Sequence, residues 1–416
     1  MQQGLARLLG VINYNNHPKS LPEAITYLLD TVKPAAKANI ETRRSCFEAI
    51  PQILTLISPQ LSSLLSSDAF NSLLDAMLAG LDDYTLDERG DVGSWVRIAC
   101  IQGLTRIAEL LFGVAGSLPD FESYFAPGKY HAVATGLLKQ GVERLDNVRQ
   151  TAGTSIVRLL NAPLPLVERP ERWRLPGLDL MNTLFQNASD QSGWNDGNWL
   201  FPRAMSLLEV PQYRKDVLSG IVISIGSKTD STQKPVANSL VKYAQEIPLV
   251  SNPGTGYSLL ELVSDLINHA KANMTSNAIV VPVFQTFTIL LEADVLREVP
   301  NEPSGLQSLK TLVHMTTKNV DKLKSVQRIH ESMKIFVNLL SFEEIRNEKL
   351  SLLSDFLAHP FPKANSAEYL YVLLQSADFG IETDAIEDIL LETEWATGDK
   401  EVATEAAKEV IQLFTS

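Results

Sequence analysis

Histidines, cysteines and paired carboxylates are the side chains most able to do chemistry, and here their spacing matches none of the common catalytic patterns. The six histidines are His17, His131, His269, His314, His330 and His359. No two lie four apart, the spacing that puts two imidazoles on one helix face to hold zinc. His330-Glu331 opens like a His-Glu-x-x-His motif but continues Ser-Met-Lys, so the second ligand is missing. Gly254-Thr-Gly256 could begin a loop of amides around a phosphate, yet no Gly-Lys-Ser/Thr follows it. No Gly-x-Ser-x-Gly elbow and no Cys/His nucleophile arrangement occurs. Asp82-Asp83 and Glu343-Glu344 read as ordinary helix-end acids. The expectation is a non-enzyme with no catalytic residue, no metal site and no cofactor, working by binding.

The elements that would support such binding are visible as a repeat. Aligned on Arg43, Arg97 and Arg149, the chain places Cys46, Cys100 and Ala152 three residues on and Ile50, Leu104 and Ile156 seven on. Ile53, Ile107 and Leu159 follow at ten, and Leu54, Ala108 and Leu160 at eleven. Those offsets share one face of an α-helix. The arginines are 54 and 52 residues apart, somewhat longer than the usual HEAT period. The small residue at the third position lets an inner helix approach its outer partner, so Cys46 and Cys100 read as buried packing residues. The pattern returns at Lys363, Ser366, Leu370, Leu373 and Leu374, with weaker echoes from Lys234 to Val241 and from Arg328 to Leu339. Asp91 and Asp146 precede their helices, where a carboxylate can cap free amides or pair with a ladder arginine.

The expected fold class is therefore all-α, a HEAT- or armadillo-like α-solenoid of stacked helix pairs. Residues 1–172 are expected to be HEAT-like helical repeats, and 173–416 further helical repeats continuous with them. Val217–Ile225 and Asn277–Leu291 are β-branched but carry helical spacing and read as helices. Phe112–Lys129, Asn161–Gly177 and Ser189–Pro202 read as connectors.

Composition narrows the partners. The 416 residues are 45% hydrophobic and 20% charged, with a net charge of −13. Residues 381–416 hold ten acids against Lys400 and Lys408, so the acidic end accounts for −8 of that charge. A near-neutral body without clustered Lys and Arg argues against nucleic acid. No run of 18 apolar residues suggests a membrane span, and Met1–Asn16 lacks a signal-peptide pattern. With two cysteines, the expectation is a reduced, soluble, intracellular protein. Asn187-Ala-Ser189 and Asn273-Met-Thr275 would then not be glycosylated, and Arg89-Gly-Asp91 reads as turn chemistry. Two groups stand out as partner contacts because they combine Trp with Arg. One is Arg89, Asp91, Trp95 and Arg97; the other is Trp194, Trp199 and Arg203.

The wording Arg89-Gly-Asp-Val-Gly-Ser-Trp-Val-Arg97 resembles the tubulin-folding cofactor D family, large HEAT-repeat tubulin chaperones. A second block comprises Phe201-Pro-Arg203, Leu207-Leu208, Tyr213, Ser219-Gly-Ile-Val-Ile-Ser-Ile-Gly226 and Thr229-Asp-Ser-Thr232. A third is His359-Pro-Phe-Pro-Lys363 with Ala367–Leu374, and a fourth is Leu390-Leu-Glu-Thr-Glu-Trp395. The resemblance places this chain as the C-terminal portion of the longer family proteins. It implies a cytoplasmic role at the microtubule cytoskeleton, with β-tubulin or the αβ-tubulin heterodimer, tubulin cofactors E and C, and an Arl2-type small GTPase as partners. It also implies a contribution to stimulated GTP hydrolysis by tubulin, with the stimulating arginine assigned to cofactor C. The other class that an α-solenoid fits is an adaptor or transport-type scaffold with a different protein cargo.

Overall fold

The computed structural model describes residues 2–186, 193–251, 256–359, 363–376, 379–395 and 400–415. Asn187-Ala-Ser189, Gly254 and Pro360-Phe-Pro362 lie outside the described residues. The fold is all-α, built from packed helix pairs, and the only sheet among the described residues is a two-stranded ribbon. The chain divides into two compact units, Met1–Ile221 and Val222–Ser416.

In the first unit the aligned arginines open three consecutive inner helices: α1 (Ile40–Ile57), α3 (Gly93–Val114) and α5 (Asp146–Asn161). Here α1 packs on α3 and α3 on α5. The outer helices α2 (Ser67–Gly80) and α4 (Pro127–Gly141) pack against α3 and α5. Asn39 starts α1 by accepting the Thr42 amide at 2.8 Å, and Ser66 starts α2 by accepting the Ala69 amide at 3.3 Å. Cys46, Ile50, Ile53, Cys100, Leu104, Ile107, Ala152 and Ile156 are all buried. The expected close approach is real and depends on glycine as well as cysteine. A Cβ on Gly80 would come within 2.4 Å of Cys100 Sγ, and one on Gly103 within 2.3 Å of Met77 Cε. Burial pushes the Cys46 thiol up to about 11 and raises the Cys100 thiol as well, so neither is a ready nucleophile.

Several local expectations are corrected. Phe112–Lys129 is not one long connector: α3 runs on to Val114, Phe121–Tyr124 is a short helix, and α4 starts at Pro127. The reason is an aromatic cluster. Phe112 lies 4.8 Å from Tyr130 and 6.1 Å from Phe125, ring centre to ring centre, and burying these rings orders the backbone that carries them. Trp199 is not on a loop: Asp196 caps the Asn198 amide at 2.9 Å and starts helix α6 (Gly197–Met205). The turn before α3 is a ribbon, β1 (Leu86–Asp87) against β2 (Gly90–Asp91), with Leu86 opposite Asp91. Asp91 and Asp146 do not cap free amides; their carboxylates go to arginines.

In the second unit Ser258 and Glu261 form a reciprocal capping box at the start of Leu259–Ala272. The β-branched stretch is helical as expected, α7 (Asn277–Glu292), and its Pro282 ring fills the place where a Cβ on Gly226 would stand, 2.6 Å away. Helix α8 (Val326–Leu339) packs along α7. Lys234, by contrast, is exposed and pairs with Asp230 at 2.7 Å. Further on, the helix Lys363–Ser376 buries Ser366, Leu370 and Leu374. No helix among the described residues is long and apolar enough to cross a membrane.

Between α7 and α8 lies a poorly compensated carboxylate. Glu331 is buried, and among the described residues Thr288 Oγ1 at 3.2 Å and Gln285 Nε2 at 3.5 Å donate to it. Burial raises its pKa; Lys334, Thr288 and Gln285 oppose the rise, and Glu292 adds to it. A carboxyl whose folded pKa exceeds its unfolded value favours the folded state when protonated, and that contribution is lost as pH rises through the folded pKa. Glu331→Gln is therefore expected to raise the melting temperature at neutral pH by roughly 2–4 °C and to flatten its fall between about pH 4 and about pH 8. Thermal scans across that range check this; an unchanged slope would remove Glu331 as its source.

Candidate protein-interaction site

The ladder arginines tie each inner helix to the loop that enters the next repeat. Arg43 Nη1 meets Asp83 Oδ2 at 2.6 Å, and its Nη2 donates to Thr85 Oγ1 at 2.9 Å. Arg97 has no exposed side-chain surface. Its Nη1 donates to the Asp83 carbonyl at 2.7 Å, both terminal nitrogens reach Asp91 at 3.1 Å, and Nη2 meets Glu143 at 2.7 Å. Its guanidinium lies over the Tyr84 ring, 4.4 Å from the centroid. Arg144 closes the group by meeting Asp91 Oδ2 at 2.6 Å. One step further, Arg149 donates to the carbonyls of Glu143 at 2.9 Å and Trp194 at 3.2 Å, and pairs with Asp146.

These buried charges differ in how well they are matched. Burial pushes the Arg97 guanidinium down, but Glu143 and Asp91 overcome it and leave its pKa raised. Burial likewise pushes the Asp91 carboxyl up, and Arg97 and Arg144 reverse this, holding it below the ordinary carboxylate range. Arg149 is lowered by burial, because Asp146 is exposed and offsets only part of the cost.

Of the seven residues singled out from sequence, Asp91, Arg97 and Trp194 point inward. Trp194 is 3% exposed and fills a slot between α4 and α5, where a Cβ on Gly153 would come within 2.0 Å of its ring and one on Gly141 within 2.9 Å. The other four form two surface stacks of one design. At the ribbon, Gly90 turns the chain at φ +102°, and Arg89 lies over Trp95 with its guanidinium carbon 4.9 Å from the ring centroid. Glu41 and Asp87 hold Arg89 in place, each at 2.7 Å. At α6, Arg203 lies over Trp199 at 4.5 Å, its Nη1 donates to the Trp199 carbonyl at 2.8 Å, and Trp199 packs on Gly193. In both stacks the tryptophan is half-buried, and the arginine is half-exposed at Arg89 and half-buried at Arg203. A planar cation fixed on an aromatic ring presents apolar area and hydrogen-bond donors at low entropic cost, the composition of an interface anchor. Among the described residues, no group of His, Cys, Asp and Glu is placed to hold a metal ion.

Sequence reasoning missed Tyr84, Glu143 and Arg144. A signal for Glu143 was present: it stands six residues before Arg149, as Asp91 stands six before Arg97.

Residues 131–328 match a family model described as tubulin folding cofactor D C terminal. Over this segment the chain is similar to the C-terminal part of tubulin folding cofactor D. The match contains the second block of resembling residues, Phe201–Thr232; the Arg89–Arg97 wording lies before it and the last two blocks after it. Among solved structures, an engineered protein aligns over all of this chain and 94% of its own length, at 13% identity and a TM-score of 0.31. That likeness is too slight to bear on fold or function. The matched segment includes α5, Trp194 and the Arg203–Trp199 stack but not the ribbon.

The ladder makes a stability prediction. Arg97→Met leaves Glu143 buried without its partner and is expected to destabilise the first unit by about 3–5 kcal/mol. The double change Arg97→Met, Glu143→Met removes both charges and should recover part of that loss. Urea denaturation of the three proteins checks this, and equal stability of single and double variants would count against a buried ion pair.

Proposed function

We propose that this chain is the C-terminal scaffold of a tubulin-folding chaperone, one that binds β-tubulin and helps assemble or take apart the αβ-tubulin heterodimer. The family match over residues 131–328 carries the reading. The fold supports it: within each unit, packed helix pairs set loop ends side by side, where a partner protein can be held. In this proposal tubulin cofactors E and C and an Arl2-type small GTPase complete the assembly in the cytoplasm, at the microtubule cytoskeleton. The scaffold contributes to GTP hydrolysis by tubulin through the way it holds the substrate protein. The hydrolysis itself stays with tubulin.

The Arg89–Trp95 and Arg203–Trp199 stacks are the proposed anchors, because they combine solvent-accessible cationic donors, half-exposed at Arg89 and half-buried at Arg203, with immobilised aromatic surface. Asp91, Arg97 and Trp194 serve them from beneath, by fixing the ribbon and the start of α6. The arginines are the clean probes, since truncating them leaves each tryptophan on its support.

The purified chain is expected to co-elute with tubulin or with cofactor E. Arg89→Ala and Arg203→Ala should each weaken the complex by about 5- to 30-fold, as interface anchors do, with little change in melting temperature. Size-exclusion chromatography and anisotropy titration with labelled tubulin measure this. Recovery of a different dominant protein cargo, with no tubulin or cofactor E, would replace this reading with a general helical-repeat adaptor.

A further inference from the structure

The second unit contains a buried arginine that no carboxylate among the described residues matches. Arg346 is 8% exposed, and the hydrogen bond it makes is from Nη1 to the Leu340 carbonyl at 3.1 Å. No carboxylate among the described residues pairs with it. Glu348, on the same short helix, is engaged by Lys310 at 2.6 Å and Lys349 at 2.7 Å, and Glu343 and Glu344 are exposed. Arg97, buried more deeply still, is answered by Asp91 and Glu143. A guanidinium without a counter-charge can take one from a ligand, so the space it opens on matters.

What it faces is a cavity of about 610 Å³ whose lining includes Arg346, Glu343, Asn347, Leu350, Phe379 and Phe414. The two phenylalanine rings stand 5.9 Å apart and supply an apolar wall. We propose that this cavity binds the C-terminus of a peptide chain, with the terminal carboxylate on Arg346 and an apolar last side chain against Phe379 and Phe414. Three observations select this ligand. The guanidinium offers parallel donors of the kind that pair with a carboxylate. Glu343 on the exposed rim disfavours a multiply charged anion such as a phosphate. The Asn347 side chain can exchange hydrogen bonds with a peptide amide, a group that a simple fatty acid lacks. Capture of a terminal carboxylate by a fixed donor cluster is an established mode of peptide recognition. The proposal stands apart from the tubulin reading, since it concerns a different surface and makes no use of the stacks.

The test is a binding titration on the full chain. A fluorescein-labelled short peptide ending in phenylalanine with a free carboxylate is expected to bind, and the same peptide amidated at its C-terminus should bind at least about tenfold more weakly. Arg346→Gln should weaken binding of the free-carboxylate peptide by at least about tenfold. No binding of the free-carboxylate peptide, equal binding of the amidated one, or undiminished binding by a folded Arg346→Gln protein would overturn the proposal. N-acetylphenylalanine competing as well as the peptide would overturn the peptide assignment in favour of a small apolar carboxylate. Should Arg346→Gln fail to fold, the comparison of free and amidated peptides on the unaltered chain decides the matter.

Discussion

Burial of the Arg97 guanidinium is the constraint on which the first unit depends. A charge with no exposed surface is tolerable only if every partner is held at bonding distance, and its partners come from three places in the chain. Asp83 lies at the end of the α2 turn, Asp91 on the ribbon and Glu143 in the loop entering α5. One side chain thus fixes the relative positions of two successive repeats and the hairpin between them. Arg43 and Arg149 repeat the arrangement on either side with fewer carboxylates, so the strongest rung sits in the middle.

This arrangement accounts for the ribbon. The α3 amides are not capped by a side chain; the helix start is held by Ser94 Oγ on the Asp91 carbonyl and by the Gly93 amide on the Thr85 carbonyl. Gly93 is required because a Cβ there would come within 2.1 Å of the Asp83 carbonyl oxygen. The Gly-Asp-Val-Gly-Ser wording is therefore chiefly the specification of a tight entry around the buried arginine. Its surface product is the placement of Arg89 on Trp95.

The two tryptophan clusters divide by the same logic. Trp194 replaces missing side chains at Gly141 and Gly153 and so belongs to the core, while Trp199, five residues on, keeps one face available beneath Arg203. Sequence alone treats them alike, because both sit in a polar, glycine-rich stretch. The division between them arises from glycines more than forty residues earlier in the chain, on α4 and α5. Arg346, which no carboxylate among the described residues meets, has a similar origin: nothing in its neighbourhood in sequence, which is rich in Glu and Lys, distinguishes it from a surface arginine.

What the sequence determined by itself was everything set by local periodicity. Offsets of three, seven and ten from each arginine oblige a helix to bury one face, so the three inner helices, the buried cysteines and the helical reading of Asn277–Leu291 were all legible, as was the resemblance that the match over residues 131–328 supports. Tertiary structure alone decided which arginines became buried clamps and which became surface cations. Arg43, Arg89, Arg97 and Arg149 are chemically identical, and each comes to rest where at least one partner arrives from a distant part of the chain: Asp83, Glu41, Glu143 and the Trp194 carbonyl in turn. The same holds for the ribbon, for α6 beginning at Asp196, and for the aromatic cluster that shortens the Phe112–Lys129 connector. The clamps draw partners from segments tens of residues away, as Arg97 does from Glu143, and the closer contacts of the ribbon, the Asp196 cap and the aromatic rings likewise leave no periodic trace in the chain.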